Sequence, residues 1–434
     1  MFLKRVQLGL IHVALTMTLL PITSTLNRVM IQELAFSATL VAVLASLPYL
    51  FSPIQVAIGS FADRNPILGW RRTPYILLGL LLCVAGVVIS PYVAYLLDTS
   101  SALSLLGAAL AFGAWGMGYN FAAVSYFSLA TELSGEKGRG RTIAVMFFMM
   151  VVSIIFTAES LSRMLEPYSP AVLNSSFLVV GLIALAFGLF GLIKLEPRYQ
   201  QAEHKEARYG WREMYTGLRE NRQVLLFFRY LILMLVAILG QDVLLEPYSA
   251  AAFDLSVSAS TRLNSITGTF FLISLTLGGL LETRVDKLKQ AKLGGWVGVV
   301  AFLLIVSSGF IGNTSLFYLG IVLLGLATGL ATVSNLSLML DMTTPERVGL
   351  FVGVWGMANA ASRLAGNLIG GVLRDGLTQL SGSTVFAYQV VFSIEMLMML
   401  ASLWLLGSID VRAFRSQAEK DFSYAERAAL AGES

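Results

Sequence analysis

The chain is 434 residues long, 56% hydrophobic and only 13% charged, with a mean hydropathy of +0.75. That balance excludes a soluble globular domain of this length and places the chain in a membrane. The pI near 9.1 reads as Lys and Arg gathered on loops at one membrane side, so no nucleic acid is expected as a partner.

The apolar runs are continuous rather than alternating, so helices and not a barrel do the spanning. The first six spans are expected at Gln7–Leu26, Ala38–Ala62, Thr73–Ala94, Ala102–Thr131, Thr142–Leu165 and Val172–Ile193. The second six are expected at Val224–Ser249, Ser260–Leu281, Leu293–Ile311, Leu316–Leu340, Val348–Leu373 and Val385–Leu406. Each is near the roughly 20 residues a bilayer helix needs. Lys4 and Arg5 precede an apolar run too long for a signal-peptide core, so the first span reads as a retained helix.

Between the two sets lies the one long hydrophilic interval, Lys194 to Arg222. Trp211, Met214, Tyr215 and Leu218 recur there at helical spacing, which predicts an amphipathic surface helix. The expected organisation is a six-helix bundle over 1–193, a linker over 194–222, a second bundle over 223–408 and a tail over 409–434. In the tail, Val411, Phe414, Ala418, Phe422 and Ala425 fall on one helical face. With the N-terminus inside, 25 of the 30 Lys and Arg fall on cytoplasmic segments, which predicts that both termini are cytoplasmic.

Ala122–Glu132 (AAVSYFSLATE) is echoed at constant offset by Ala331–Asp341 (ATVSNLSLMLD), with Gly116 and Gly325 also in register. Matched helices in two halves are what a rocking-bundle transporter is built from.

Cys83 sits alone in mid-span, so no disulfide framework exists. With two histidines and one cysteine, no structural zinc site is expected. No acid–base pair, nucleophile triad or phosphate loop stands out, so the chain does not read as an enzyme. Small residues four apart, such as Gly349 with Gly353 and Gly366 with Gly370, read as close helix packing.

Gly59-Ser-Phe-Ala-Asp63-Arg64, followed by Gly69-Trp-Arg71-Arg72, resembles the signature loop of the major facilitator superfamily. The expected fold is therefore an all-α polytopic membrane protein of twelve helices in two pseudo-symmetric bundles. Asp63 is placed to accept from a helix N-terminus, and the arginines to bind carboxylates across the pseudo-twofold interface. Asp63, Arg64, Arg71, Arg72, Glu132 and Arg141 in the first half, and Asp341 and Arg347 in the second, are the expected gating charges. Glu282 and Arg284 lie in a degraded copy of the loop.

A narrower resemblance rests on three segments. They are Ser24-Thr-Leu-Asn27-Arg28-Val-Met-Ile-Gln-Glu33-Leu34 with Leu40-Val-Ala-Val43, Leu68-Gly-Trp-Arg-Arg-Thr-Pro-Tyr75, and Gln241-Asp242-Val-Leu-Leu-Glu246-Pro-Tyr248. Together they resemble the bacteriochlorophyll-delivery branch of that superfamily, the PucC- and LhaA-like assembly factors for light-harvesting complexes. The resemblance implies bound chlorophyll or bacteriochlorophyll. It implies as partners chlorophyll-binding antenna or photosystem subunits, chlorophyll synthase and membrane lipid. The membrane implied is a bacterial inner, intracytoplasmic or thylakoid one.

Candidate pigment-binding residues are Asn27, Arg28, Glu33, Gln241, Asp242, Glu246 and Tyr248, with His12 in the first span. An imidazole there could ligate chlorophyll magnesium, or simply bond a neighbouring serine or carbonyl; magnesium itself prefers oxygen. Asp242 and Glu246 are four apart and present their carboxylates on one face until Pro247 perturbs the helix. A bridge from Arg28 to either would form an outer gate; the alternative is headgroup-wetted charges. Glu159 and Arg163 form an i,i+4 pair, and Glu395 is the expected mate of Arg363. Three functions stay open: a pigment-handling assembly factor, a secondary transporter of a small organic solute, and a scaffold with a vestigial cavity.

Overall fold

The computed structural model describes residues 2–198, 222–281, 284–341 and 348–410. Its first half comprises α1 Phe2–Glu33, a composite α2 over 38–64, α3 Thr73–Leu96, α4 Ala102–Gly135, α5 Gly140–Met164 and α6 Pro170–Leu192. The second half comprises α7 Arg222–Val243, prolonged by Leu245–Phe253, then α8 Val257–Leu281 and α9 Lys287–Ile311. It ends with α10 Thr314–Asp341, α11 Val348–Ser381 and α12 Thr384–Gly407. Ten helices among the described residues are long and apolar enough to cross a membrane. Large apolar side chains such as Leu103, Phe156, Leu280 and Trp404 stay exposed along them, as lipid-facing residues do. The chain is an all-helical integral membrane protein.

The other two segments miss that mark for local reasons. In α2, Pro48 and Pro53 each lack a backbone N–H, and the helix breaks into Ala38–Ala45, Leu47–Leu50, Ser52–Ile54 and Gln55–Arg64. The Asn120 Nδ2 of α4 donates to the Pro48 carbonyl at 2.9 Å, which the break would otherwise leave open. In α11 the polar Asn359, Arg363 and Asn367 interrupt the apolar run. α1 also departs from regularity, widening into π turns over Pro21–Leu26 and Val29–Glu33. Pro21 cannot donate within the ladder, and such widened turns gather at functional sites.

The repeat read from the sequence has a packing counterpart. A Cβ on Gly79 of α3 would lie 2.5 Å from the Ala122 backbone nitrogen of α4; one on Gly294 of α9 would lie 3.1 Å from that of Ala331 in α10. Gly116 packs against the Leu47–Pro48 backbone of α2, and its counterpart Gly325 against Thr267 and Phe270 of α8. Equivalent small residues thus set equivalent helix crossings in the two halves. α4 ends at Gly135, whose φ of +60° is a left-handed conformation that glycine adopts without a Cβ clash.

Successive helices alternate between two ends of the bundle. One, the basic end, holds Arg5, Arg71, Arg72 and Lys287; the far end holds Arg28, Glu33 and Asp375. The expected surface helix at Trp211–Leu218, the tail from Val411, Glu282 and the gating residue Arg347 lie outside the described residues.

Candidate functional site

At the far end the halves are joined by a seam of hydrogen bonds between neutral and ionised groups. The π-widened end of α1 supplies one side. Ser24 Oγ donates to Glu246 Oε1, and Asn264 Nδ2 of α8 donates to the same oxygen at 2.5 Å and to Ser24 Oγ at 3.0 Å. The hydroxyls of Thr25 and Thr261 meet at 3.0 Å. Arg28 Nη2 donates to the Leu255 carbonyl at 2.9 Å, and Gln32 Nε2 to that of Pro247 at 2.9 Å. Glu246 is buried, and its Oε2 has no hydrogen-bond partner among the described residues.

Two flanks extend the seam. Asp375 of α11 accepts from Ala38 N, Thr39 N and Thr39 Oγ1 at 3.0, 2.8 and 2.6 Å, capping the start of α2 from the other half. A carboxylate there meets both the free N–H groups and the positive end of the helix dipole. On the opposite flank Ser162 Oγ donates to the Ser258 carbonyl at 2.9 Å, and Arg262 Nε meets Glu159 Oε2 at 3.1 Å. A polar cleft of about 300 Å³ lies there, lined by Glu159, Arg163, Glu166, Arg262 and Tyr318.

Deeper in the bundle, Arg363 of α11 pairs with Asp242 of α7 and lies 5.8 Å from the centre of the Tyr49 ring of α2. Asn367, one turn along α11, donates to Ser46 Oγ at 3.1 Å. Gln241 Nε2 reaches Asp242 Oδ1 at 3.1 Å, while Gln241 Oε1 is buried without a partner among the described residues. Glu395 of α12 is buried where α7 and α11 cross at Gly240 and Gly366, and its Oε2 is also unpartnered.

Several expected pairings are replaced. Arg28 does not bridge to Glu246 or Asp242; its Nη1 bonds Glu33 Oε1 at 2.5 Å, five residues along its own helix. Asp242 and Glu246 do not share a face, because α7 tightens into a 3₁₀ turn over Gln241–Val243. That turn sends Asp242 to α11 and Glu246 to α1 and α8. Arg363 takes Asp242 rather than Glu395. The Glu159–Arg163 pair does form, at 2.9 Å.

The remaining candidates are dispersed. Asn27 Nδ2 folds back onto the Thr23 carbonyl at 2.5 Å. Tyr248 donates to the Ile305 carbonyl at 2.9 Å amid Phe253, Phe317, Tyr388 and Phe392, an aromatic core built wholly from the second half. His12 packs against the rings of Tyr126, Phe127 and Phe147 at 5.2–5.7 Å, and its Nδ1 is buried with no partner among the described residues.

The basic end is organised differently. Arg72 is buried, and its Nη2 meets Asp63 Oδ1 at 2.5 Å and Glu132 Oε1 at 2.8 Å, with Nε adding a bond to Glu132 at 3.0 Å. Arg71 Nη2 lies 3.5 Å from Glu132. Arg72 thus binds carboxylates of its own half, not across the pseudo-twofold interface. The N-terminus of α3 holds a carboxylate of its own. It is Glu196, accepting from the backbone nitrogens of Arg71, Arg72 and Thr73 at 2.7–3.0 Å. The second half repeats the motif in short form, Lys287 Nζ meeting Asp341 Oδ2 at 3.0 Å. Arg64 ends α2 exposed, and Arg141 is exposed on α5.

Sequence reasoning did not single out Asn264, Asp375, Asn367 or Glu196, and it met Ser24 only as the start of the family-like run, without a bonding role. The signal available was a polar residue inside or just beyond an apolar helix, where lipid exposure is expensive and a partner is therefore expected.

The PUCC protein family model matches residues 25–414. Protein PucC of Cereibacter sphaeroides is 31% identical over 413 residues, covering 90% of this chain and 88% of that one. Protein PucC of Rhodobacter capsulatus is 30% identical, covering 92% and 90%. The bacteriochlorophyll synthase 44.5 kDa chain of Rhodobacter capsulatus is 26% identical, covering 95% and 96%. Among solved structures, a bacterial homologue of the human lysosomal transporter Spinster, inward-facing and unoccupied, superposes with a TM-score of 0.72 at 12% identity, covering 95% and 97%. The nucleoside transporter NupG does so with 0.69 at 13% identity, covering 94% and 99%. The fold is that of the major facilitator transporters, and the chain belongs to the PUCC protein family.

Proposed function

We propose that this protein is a membrane assembly factor for chlorophyll–protein complexes, binding chlorophyll or bacteriochlorophyll and handing it to antenna or photosystem subunits. The observation that carries this reading is the end-to-end match to the PUCC family, with a relative named as a bacteriochlorophyll synthase chain over 95% of the sequence. The coarser role in photosynthetic complexes follows from those relatives; delivery of the pigment, and chlorophyll synthase as a partner, are the finer parts of the proposal. The distribution of Lys and Arg supports placing the basic end and both termini in the cytoplasm, in a bacterial inner, intracytoplasmic or thylakoid membrane.

The donor chemistry near the seam suits a magnesium chlorin. Magnesium prefers oxygen, and Glu246 Oε2 in the seam is a buried oxygen without a hydrogen-bond partner among the described residues. Bound pigment would supply a flat apolar ring and a Lewis-acidic magnesium, and Glu246 is the seam residue that would hold it.

Gentle purification followed by an absorption spectrum tests the reading. Red-region absorbance, or copurifying chlorophyll-binding subunits, is the expected result. The likeness to transporters favours a second reading, carriage of a small organic solute. Repeated pigment-free preparations without such subunits would support it over the first.

A further inference from the structure

Arg363 is a cation near the middle of a 34-residue helix, where a charge is tolerated only facing a cavity or a counter-ion. It has both. Asp242 is its ion-pair partner, yet the two side chains remain 35% and 31% exposed. Tyr49, from the first half, flanks the guanidinium that Asp242 holds from the second. The accessible side of Arg363 therefore lies in the space between the halves. A guanidinium carries five N–H donors in a fork that matches a carboxylate, and Asp242 engages Nη1 alone.

We propose that Arg363 is the recognition site for a ligand carboxylate in the inter-half space, and that Asp242 is a displaceable counter-ion which takes up a proton when the ligand binds. The charge balance requires the proton. The groups facing Asp242 are Arg363 on α11, Glu395 on α12, Tyr49 on α2 and, within electrostatic reach of Arg363, Tyr119 on α4; Glu246 follows one turn along. Arg363 is the single cation among them. Moving it onto a ligand carboxylate strands Asp242 beside Glu395, two acids with no base. One proton from solvent bonds an Asp242 oxygen to give the neutral acid, the ligand carboxylate takes the freed guanidinium, and the net charge of the cluster is unchanged.

Resting on the pigment reading, this names the form in which pigment is taken up: a chlorin whose propionate side chain is still a free acid, so that esterification falls between uptake and hand-over to a subunit. The test is fluorescence titration of the purified full-length protein in nanodiscs with chlorophyllide a, its methyl ester and oleate, at several pH values. The acid should bind about tenfold or more tightly than the ester, as expected of a charge-assisted pair. Its affinity should fall as pH rises, and calorimetry in two buffers should show uptake of about one proton per ligand.

Arg363→Gln should erase the acid–ester difference. Asp242→Asn should abolish proton uptake and pH dependence while keeping acid preference, and it serves if Arg363→Gln does not fold. Equal binding of acid and ester in the parent protein overturns the carboxylate site and leaves the pigment reading intact. Arg363-dependent binding of oleate as tight as that of chlorophyllide upholds the carboxylate site and removes the pigment reading. Binding of the acid without proton uptake overturns the role of Asp242.

Discussion

The two ends of the bundle hold themselves together by different chemistry. At the basic end, Arg72 binds Asp63 and Glu132 within the first half, and Lys287 binds Asp341 within the second. At the far end the bonds between halves are mixed: hydroxyls, amides and main-chain carbonyls meet across the seam, Arg28 and Asp375 bond neutral groups of the other half, and Arg262 with Glu159 is an ion pair. Charge-assisted pairs are strong and strain each bundle into one shape. Neutral bonds of about 1 kcal/mol each can be exchanged one at a time. The division suits two rigid bodies that rock about a seam.

The largest effect should come from Arg72→Ala. It strands Asp63 and Glu132 around a buried site, at a cost of about 3 kcal/mol. Thermal unfolding in detergent should show a clearly lowered Tm. A change no greater than that of an exposed arginine would mean that the basic end does not rigidify the first half.

Intermediate effects belong to the seam. Ser24→Ala and Glu246→Gln touch one shared bond, so their double-mutant cycle should give a coupling above about 0.5 kcal/mol. Arg28 and Glu246 share no hydrogen-bond partner and meet only as charges through space, so the coupling of Arg28→Ala with Glu246→Gln should be smaller than that of the first cycle. Strong coupling in the second cycle would restore the direct Arg28–Glu246 gate that the structure replaces.

The smallest effect is expected for Arg262→Ala. Its guanidinium is 60% exposed, and its pair with Glu159 is worth about 0–1 kcal/mol. A loss several times larger would show that the flank of the seam carries as much as its centre.

Legibility differed between the same two regions. Asp63, Arg71, Arg72, Glu132 and Asp341 were all readable as charged residues at helix ends, and they do assemble at the basic end. For Arg72 the partners differ from the expectation, because a loop sequence carries no record of which half a flexible arginine turns toward. At the far end Glu246 and Asp242 stood out, whereas Ser24, Asn264 and Asp375, their neighbours or equals in the seam, did not. A serine or asparagine in an apolar helix looks like ordinary small-residue packing until a second helix brings it a partner.

Sequence alone determined what depends on composition and period: helices, their approximate ends, the two-fold repeat and the class of fold. These follow from the absence of water in the bilayer and from the small residues that let equivalent helices cross. The tertiary structure decided the pairings. Helix rotation sets where each polar group points, and breaks at Pro21, Pro48 and Gln241–Val243 alter that rotation by amounts no regular 3.6-residue period predicts. A 3₁₀ turn of three residues is what parts Asp242 from Glu246, giving one to Arg363 and the other to Ser24.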